Sequence, residues 1–221
     1  MNIHAPRLFV YPSPFSSLEE AVRIDPATAV GSASLKPVEG PCASRGTTFC
    51  CFWDEHSLTV LFSVAGSPAL KHPALIGATE TVRTPGLWEL SEVVEVFVGA
   101  NARGTGRYSE FEVAPDGRWI AIDVQTDSSG VKGNQEWATG FRCVVARHPE
   151  KLWKAALEIP WRDLGGTGSV WHGNFYRSIP GDDGGELYTW SPTGSGPQCF
   201  HRPERFGELV IVPRNDSPRI V

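Results

Sequence analysis

The sequence lacks an excess of basic residues, and it has no apolar run long enough to cross a bilayer. Its 20 Lys and Arg are outnumbered by 25 Asp and Glu, which gives a formal net charge of −5. A negatively charged protein is repelled by phosphate backbones and anionic lipid surfaces, and a membrane-spanning helix needs about 20 consecutive apolar residues. We therefore expect neither a nucleic acid nor a membrane as the partner of this protein.

Cysteine is scarce and shows no pairing pattern. The cysteines are odd in number and form no C-x-x-C motif. The first residues, MNIHAPRLFVYPSPF, are interrupted by prolines and lack the charged head and apolar segment of a secretory signal. These features predict free thiols and a cytoplasmic location. The cysteines are Cys42, Cys50, Cys51, Cys143 and Cys199.

Motifs for covalent catalysis and for zinc are missing as well. The sequence has no G-x-S-x-G motif, and its histidines show no zinc-binding spacing. The stretch GDDGGE, with Asp182, Asp183 and Glu186, offers oxygen ligands for a structural Ca²⁺, but it has no EF-hand pattern and a polar turn explains it better. No cofactor is therefore certain. The sequence favours a non-catalytic protein, and any activity would be glycoside hydrolysis by a pair of carboxylates.

Short β-type runs separated by Gly and Pro fill most of the chain. Helix signals are limited to SSLEEAVRI near the N-terminus and to the single turn PWRDLG. Many short strands with turn residues between them are typical of a β-sandwich or barrel. We predict one all-β domain over residues 1–221, formed by two packed antiparallel sheets. The predicted strands are RLFVY, TTFCCFW, SLTVLFSVAG, VVEVFVGA, YSEFEVA, RWIAIDV, FRCVVAR, KLWKAALEIP, NFYRSI and ELVIVP.

Alternation within the central runs predicts which side chains face the core. In VVEVFVGA, alternate valines share the core side, so Glu95 lies on the other side. In YSEFEVA, Phe111 and Val113 face the core, and Glu110 and Glu112 project from the opposite face. We expect the two runs to pair as a hairpin. A solvated sheet face is the usual place for glutamate, and the alternative is a groove that binds polar groups.

The sequence contains eight tryptophans, and most of them lie in or beside strand runs, where packing explains them. Three lie in loop-like segments or at strand edges, namely Trp88, Trp137 and Trp190. For these three, packing and ligand binding are equally consistent with the sequence. An aromatic residue beside carboxylates suits sugars, because their C–H faces stack on indole while their hydroxyls donate to carboxylate oxygens.

Several segments occur in an order that matches a known family. TTFCCFWDEHSLTVLFSVAG comes first, LWELSEVVEVFVGAN and YSEFEVAPDGRW follow, and LEIPWRDLG, GNFYRSI and WSPTGSGPQCFHRPERFGELVI come last. They resemble the early strand pair, the central hairpin and the C-terminal third of the family 9 carbohydrate-binding modules, within the wider group of DOMON-like β-sandwiches. The resemblance extends from about Thr47 to Val212, and the ordered series is more specific than any single segment.

This resemblance implies a β-sandwich in which two aromatic side chains clamp the end of a mono- or oligosaccharide. Trp88 matches one of the clamping tryptophans of the family. The second tryptophan is replaced in this sequence by Phe200 or His201. The resemblance therefore implies a sugar as the partner, bound without catalysis.

The same resemblance implies polar contacts to the sugar hydroxyls. Glu95 matches an acidic contact of the family, and Arg177 falls near an amide contact. Glu112 falls where sugar-binding members carry a basic residue, so the charge is reversed. We expect Glu95 and Glu112 to line the cleft, with Arg177 between them to offset the repulsion between two partly dry carboxylates.

Two other functions stay open on the sequence. DOMON-type sandwiches include haem-binding electron-transfer domains, which resemble cytochromes with Met, His or Lys as axial ligands. The only methionine here is Met1, which disfavours a Met/His pair. The other function is that of a subunit associated with a separate glycoside hydrolase.

Overall fold

The structure is a computed structural model that describes residues 5–39, 46–67, 81–148, 152–165, 170–181, 185–194 and 199–216. Cys42, Asp182 and Asp183 lie outside these ranges, so half of the GDDGGE stretch, for which a polar turn was preferred to a structural Ca²⁺ site, is outside the described residues. All ten predicted runs form strands, and four further short strands (β2, β3, β9 and β13) were not predicted. The strands are β1 (Arg7–Pro12), β2 (Ala33–Ser34), β3 (Lys36–Pro37), β4 (Thr47–Trp53), β5 (Ser57–Val64), β6 (Val93–Gly99), β7 (Arg107–Val113), β8 (Trp119–Asp127), β9 (Gly130–Asn134), β10 (Arg142–His148), β11 (Leu152–Pro160), β12 (Val170–Ile179), β13 (Glu186–Thr189) and β14 (Gly207–Ile211).

Short helices connect some of these strands. The predicted N-terminal helix is α1, and its N-cap is Ser17, whose hydroxyl accepts a hydrogen bond from the backbone N–H of Glu20. In the part of the chain that the structure describes, no helix is long and apolar enough to cross a membrane. The α-helices are α1 (Leu18–Ala21), α2 (Leu87–Leu90) and α3 (Ala102–Thr105), and 3₁₀ turns span Trp161–Leu164, Pro203–Arg205 and Arg214–Asp216.

The strands form two sheets that share β1. In sheet I the hydrogen-bonded order is β1-β14-β12-β6-β7-β8-β9, and β13 pairs with β12 and β3. In sheet II the order is β10-β11-β5-β4-β1, with β2 paired to β4. The first part of β1 pairs parallel with β14, and Tyr11 and Pro12 pair parallel with β4. The other pairs among the described strands are antiparallel, so the predicted antiparallel sandwich is confirmed except at β1.

The inner faces of the two sheets pack together and form the main hydrophobic core. The alternation predicted from the sequence is confirmed, because Phe62 of β5 and Val94 and Val96 of β6 lie in this core. The rings of Phe49 on β4 and Phe175 on β12 meet between the sheets, with centroids 4.2 Å apart. Burial of each such side chain stabilises the fold by about 1.5–3 kcal/mol.

The outer face of sheet I is covered rather than solvated. A second apolar cluster lies on it, formed by the sheet residues Phe97, Tyr108 and Tyr176 together with Phe200 and Phe206 from the C-terminal segment. Side chains on the outer face of β6, β7 and β12 therefore lie beneath a covering segment. This arrangement creates a partly open cleft on the face that carries the glutamates.

Candidate ligand-binding cavity

A cavity of about 520 Å³ lies against the outer face of sheet I. Its volume is within the range of small-molecule sites, about 300–1,000 Å³. Strands β6 to β9 and β12 contribute to its lining, together with α2 and the segment that begins at residue 199. The cavity brings together five of the six predicted site residues, namely Trp88, Glu95, Glu112, Phe200 and His201.

The glutamates of the cavity come from the β6–β7 hairpin, which forms as predicted. Glu95 lies directly opposite Glu112, and Phe97 lies opposite Glu110. Residues that are directly opposed share one face of a sheet, so all three carboxylates project from the outer face. Their exposed fractions are 4% for Glu95, 4% for Glu110 and 1% for Glu112. The interpretation of a solvated sheet face is therefore wrong.

Burial controls the protonation of these carboxyl groups. Removal from water raises the pKa of Glu95 and of Glu112 well above the usual value, and the charges of neighbouring carboxylates raise both further. Burial also raises the pKa of Glu110, to about 7. The side chains of Glu110 and Glu112 are hydrogen-bonded to each other, so one of the two carboxyls holds the proton that they share. The described lining contains no Lys or Arg that would offset the charge.

The position of Arg177 corrects the predicted site. On β12, Tyr176 lies opposite Glu95, whereas Arg177 lies opposite Val94 and therefore points to the inner face. Its Nε donates to Glu92 Oε1 at 2.8 Å, and its Nη2 lies 2.6 Å from the same oxygen. Both side chains of this ion pair are almost completely buried. Arg177 thus compensates Glu92 and is not one of the residues that line the cavity.

Trp88 reaches the cavity from α2. The helix is preceded by Gly86, whose φ of 67° lies in the left-handed region that glycine adopts without strain. The indole is half-buried against the second apolar cluster and also lines the cavity. Trp137 and Trp190 instead pack against the main core. The packing interpretation is therefore confirmed for those two tryptophans.

Phe200 and His201 border the cavity from the C-terminal segment. The ring of Phe200 stacks on that of Tyr176 with centroids 3.9 Å apart, and Tyr176 Oη donates to the Phe200 carbonyl at 3.0 Å. His201 Nδ1 lies 2.6 Å from Tyr108 Oη. Burial raises the pKa of Tyr108 and lowers the pKa of His201, which favours the neutral form of both. A neutral phenol donates to Nδ1, and the imidazole proton is then on Nε2.

Some lining residues are absent from the predicted site. Alternation places Glu110 on the correct face, and its spacing of two from Glu112 was the signal that it belongs with the other carboxylates. Phe97 and Ser178 follow from the same alternation on β6 and β12. Gly133 lies on β9, whose polar sequence GVKGN carries no strand pattern. That strand is recognisable only by its pairing with β8.

Comparison with solved structures identifies the fold. A family 9 carbohydrate-binding module from Caldicellulosiruptor kristjanssonii in complex with glucose matches with a TM-score of 0.61 at 13% identity, over 97% of this chain and 100% of that chain. A module of the same family and organism in complex with cellotriose matches with a TM-score of 0.60 at 12% identity, over 98% and 100%. The chain has the fold of the family 9 carbohydrate-binding modules.

A third structure with this fold is a "putative carbohydrate-binding protein" from Bacteroides uniformis. It matches with a TM-score of 0.65 at 20% identity, over 94% of this chain and 100% of that chain. No family model and no curated protein matches the sequence. At these identities the likeness to family 9 modules concerns the fold, and the chemistry of the site has to be argued from its own residues.

Proposed function

We propose that the protein binds the end of a carbohydrate in the outer cavity of sheet I, without catalysing a reaction on it. The observation that carries this proposal is that aromatic side chains and carboxylates line one cavity of suitable size. Two structures with the same fold are complexes with glucose and with cellotriose, which supports a sugar as the ligand.

The lining provides both kinds of contact that a sugar ring needs. The indole of Trp88 and the rings of Phe200 and His201 offer faces for stacking against sugar C–H groups. Burial raises the pKa of Glu95 and of Glu112, so each carboxyl can both accept from and donate to a sugar hydroxyl group. In this proposal the sugar end lies between Trp88 on one side and Phe200 or His201 on the other.

The arrangement of the carboxylates favours binding over hydrolysis. Glu95, Glu110 and Glu112 all project from one face of sheet I, on two adjacent strands. Glycosidases instead place two carboxyl groups on either side of the scissile bond. We therefore assign the glutamates a role as hydroxyl acceptors.

A thermal-shift screen with mono- and disaccharides, followed by calorimetry on each hit, tests sugar binding. We expect at least one sugar to raise the unfolding temperature progressively as its concentration increases, because a ligand that binds only the folded state stabilises it. An absorption spectrum of the purified protein belongs in the same experiment. A Soret band would favour the haem-binding alternative over sugar binding.

The first prediction concerns Trp88. Trp88→Ala should weaken binding of the sugar found in the screen by roughly 1–3 kcal/mol, the scale of losing one aromatic contact. Calorimetry on the wild type and the variant measures this difference. The control is Phe9→Ala, since Phe9 is 48% exposed and lies on β1, away from the cavity lining. Equal affinities for wild type and Trp88→Ala would refute the aromatic clamp.

A further inference from the structure

His201 contacts Tyr108 at the border of the cavity, and this contact occupies one nitrogen of the imidazole. Tyr108 Oη and His201 Nδ1 are 2.6 Å apart. His201 lines the cavity, whereas Tyr108 is 3% exposed and is not part of the described lining. Nε2 of the same imidazole has no hydrogen-bond partner in the described part of the chain. The two ring nitrogens of His201 therefore have different surroundings.

The burial of Tyr108 determines the direction of this hydrogen bond. Its hydroxyl makes no other hydrogen bond to the residues that the structure describes. A buried hydroxyl needs an acceptor for its proton, and Nδ1 accepts only when it carries no proton of its own. Nδ1 is therefore the acceptor, and the neutral imidazole carries its proton on Nε2.

Packing fixes the position of both rings. The rings of Tyr108 and Phe97 are stacked with centroids 5.4 Å apart, and Phe206 contacts Tyr108 edge-on at 5.1 Å. The imidazole of His201 lies against the same Phe97, again with centroids 5.4 Å apart. One face of the imidazole is therefore covered by Phe97, and its Nδ1 edge by Tyr108. The Nε2 edge and the other face are left for a ligand in the cavity.

A hydrogen-bond donor at this place meets a need of the site. The described lining contains no Lys or Arg, so hydrogen bonds to sugar oxygens have to come from neutral groups. The ring oxygen and the glycosidic oxygens of a sugar have no proton and can only accept. A donor that is already fixed in direction loses little conformational entropy when it binds such an oxygen.

We propose that Tyr108 is a positioning residue of the cavity: its hydroxyl holds His201 in the tautomer that presents Nε2–H, and His201 donates this hydrogen bond to an oxygen of the bound sugar. The inference rests on the proposed sugar binding. In this role Phe200 supplies the stacking face of the clamp opposite Trp88, and His201 contributes its edge. An oxygen that only accepts is the group that this donor selects.

NMR of the full chain labelled with ¹⁵N-histidine tests the tautomer, because protonated and unprotonated ring nitrogens differ widely in chemical shift. The wild type should show His201 with its proton on Nε2 at about pH 8, above the usual histidine pKa of about 6.5. Loss of the signal in His201→Leu assigns it. Tyr108→Phe keeps the ring and removes the hydroxyl, so His201 should become a mixture of both tautomers.

Calorimetry with glucose, with cellotriose and with each hit of the thermal-shift screen tests the effect on binding. Tyr108→Phe should weaken binding roughly three- to tenfold, the scale of one hydrogen bond. In the His201→Leu background the same change should alter affinity by less than about twofold, because the donor is already absent. The matched control is Tyr188→Phe, which should bind like the wild type. Tyr188 lies in the main core, and its hydroxyl donates to Glu186.

Several outcomes would overturn the role of Tyr108. These are a wild-type His201 with its proton on Nδ1, equal affinities for wild type and Tyr108→Phe, an undiminished effect of Tyr108→Phe in the His201→Leu background, and an equal loss in Tyr188→Phe. Circular dichroism establishes that the variants are folded, and the wild-type NMR spectrum decides the question if they are not. A wild type that binds no sugar would refute the proposed function as well, whereas sugar binding that Tyr108→Phe leaves unchanged would refute this inference alone.

Discussion

At the residue scale, the buried glutamates make stability depend on pH. The pKa of Glu110 is raised from 4.5 to about 7 in the folded protein. The folded state therefore holds a proton that the unfolded chain releases at lower pH, and stability is lost as the pH rises through this interval. Other titratable groups face the same region, namely Glu95, Glu112, Tyr108 and His201. The raised pKa values of Glu95 and Glu112 make stability fall as the pH rises, as that of Glu110 does. The lowered pKa of His201 has the opposite effect on stability.

We therefore expect the protein to be more stable at about pH 5 than at about pH 8, and Glu110→Gln to reduce this difference. The amide of Gln cannot ionise, so the contribution of that group to the pH dependence is removed. Urea denaturation at the two pH values measures the effect. The control Asp123→Asn should retain the wild-type dependence, because Asp123 lies opposite Ser109 on the other face of sheet I. A difference that is unchanged in Glu110→Gln would contradict the assignment.

Arg177 gives a second prediction at the residue scale. Its guanidinium is completely buried and bonded to Glu92, and it also donates to Thr47 Oγ1 at 3.2 Å. Arg177→Met should destabilise the protein by roughly 3–5 kcal/mol, because it leaves the Glu92 carboxylate buried without its cation. Arg7→Met is the control, since the pair of Arg7 with Glu208 is largely exposed and should contribute less than about 1 kcal/mol. Similar losses in the two variants, by chemical denaturation, would be inconsistent with this role.

At the element scale, the β6–β7 hairpin holds all three glutamates, and its connection is the short helix α3. Gly106 ends this helix with a φ of 68°, and a Cβ at this position would collide with the backbone carbonyl oxygen of Thr126. Gly106→Ala should therefore destabilise the protein by roughly 1–3 kcal/mol through backbone strain and the displacement of β8.

Gly104→Ala is the control within the same helix. A Cβ at position 104 would meet the side chain of Asn101, which can move, and Gly104 has no positive φ. Thermal unfolding of the two variants should therefore show a clearly larger loss for Gly106→Ala. The opposite order would mean that the end of α3 does not constrain the hairpin.

At the scale of the whole molecule, β1 connects the two sheets and the main core takes side chains from both. A chain organised in this way is expected to unfold as one unit. We predict that tryptophan fluorescence and far-UV circular dichroism report a single coincident transition. Two separated transitions would contradict the prediction of one domain. The four described cysteines are free and buried, and the cytoplasmic location stays a prediction.

The sequence by itself determined the positions of ten of the described strands and the faces of the central hairpin. These features depend on alternation within a few residues, so Val94 and Glu95 had to lie on opposite sides of β6. The sequence also indicated Trp88 and the glutamates, because they are close to the hairpin along the chain.

Only the tertiary structure decided which residues meet over long distances. Arg177 pairs with Glu92, which is 85 positions away, and no local pattern distinguishes that partner from Glu95. The burial of Glu110 and Glu112 was also decided there, because Phe200 and its neighbours cover a sheet face that would otherwise be solvated. Local periodicity assigns a side chain to a face, whereas the solvent exposure of that face depends on segments that are remote in sequence.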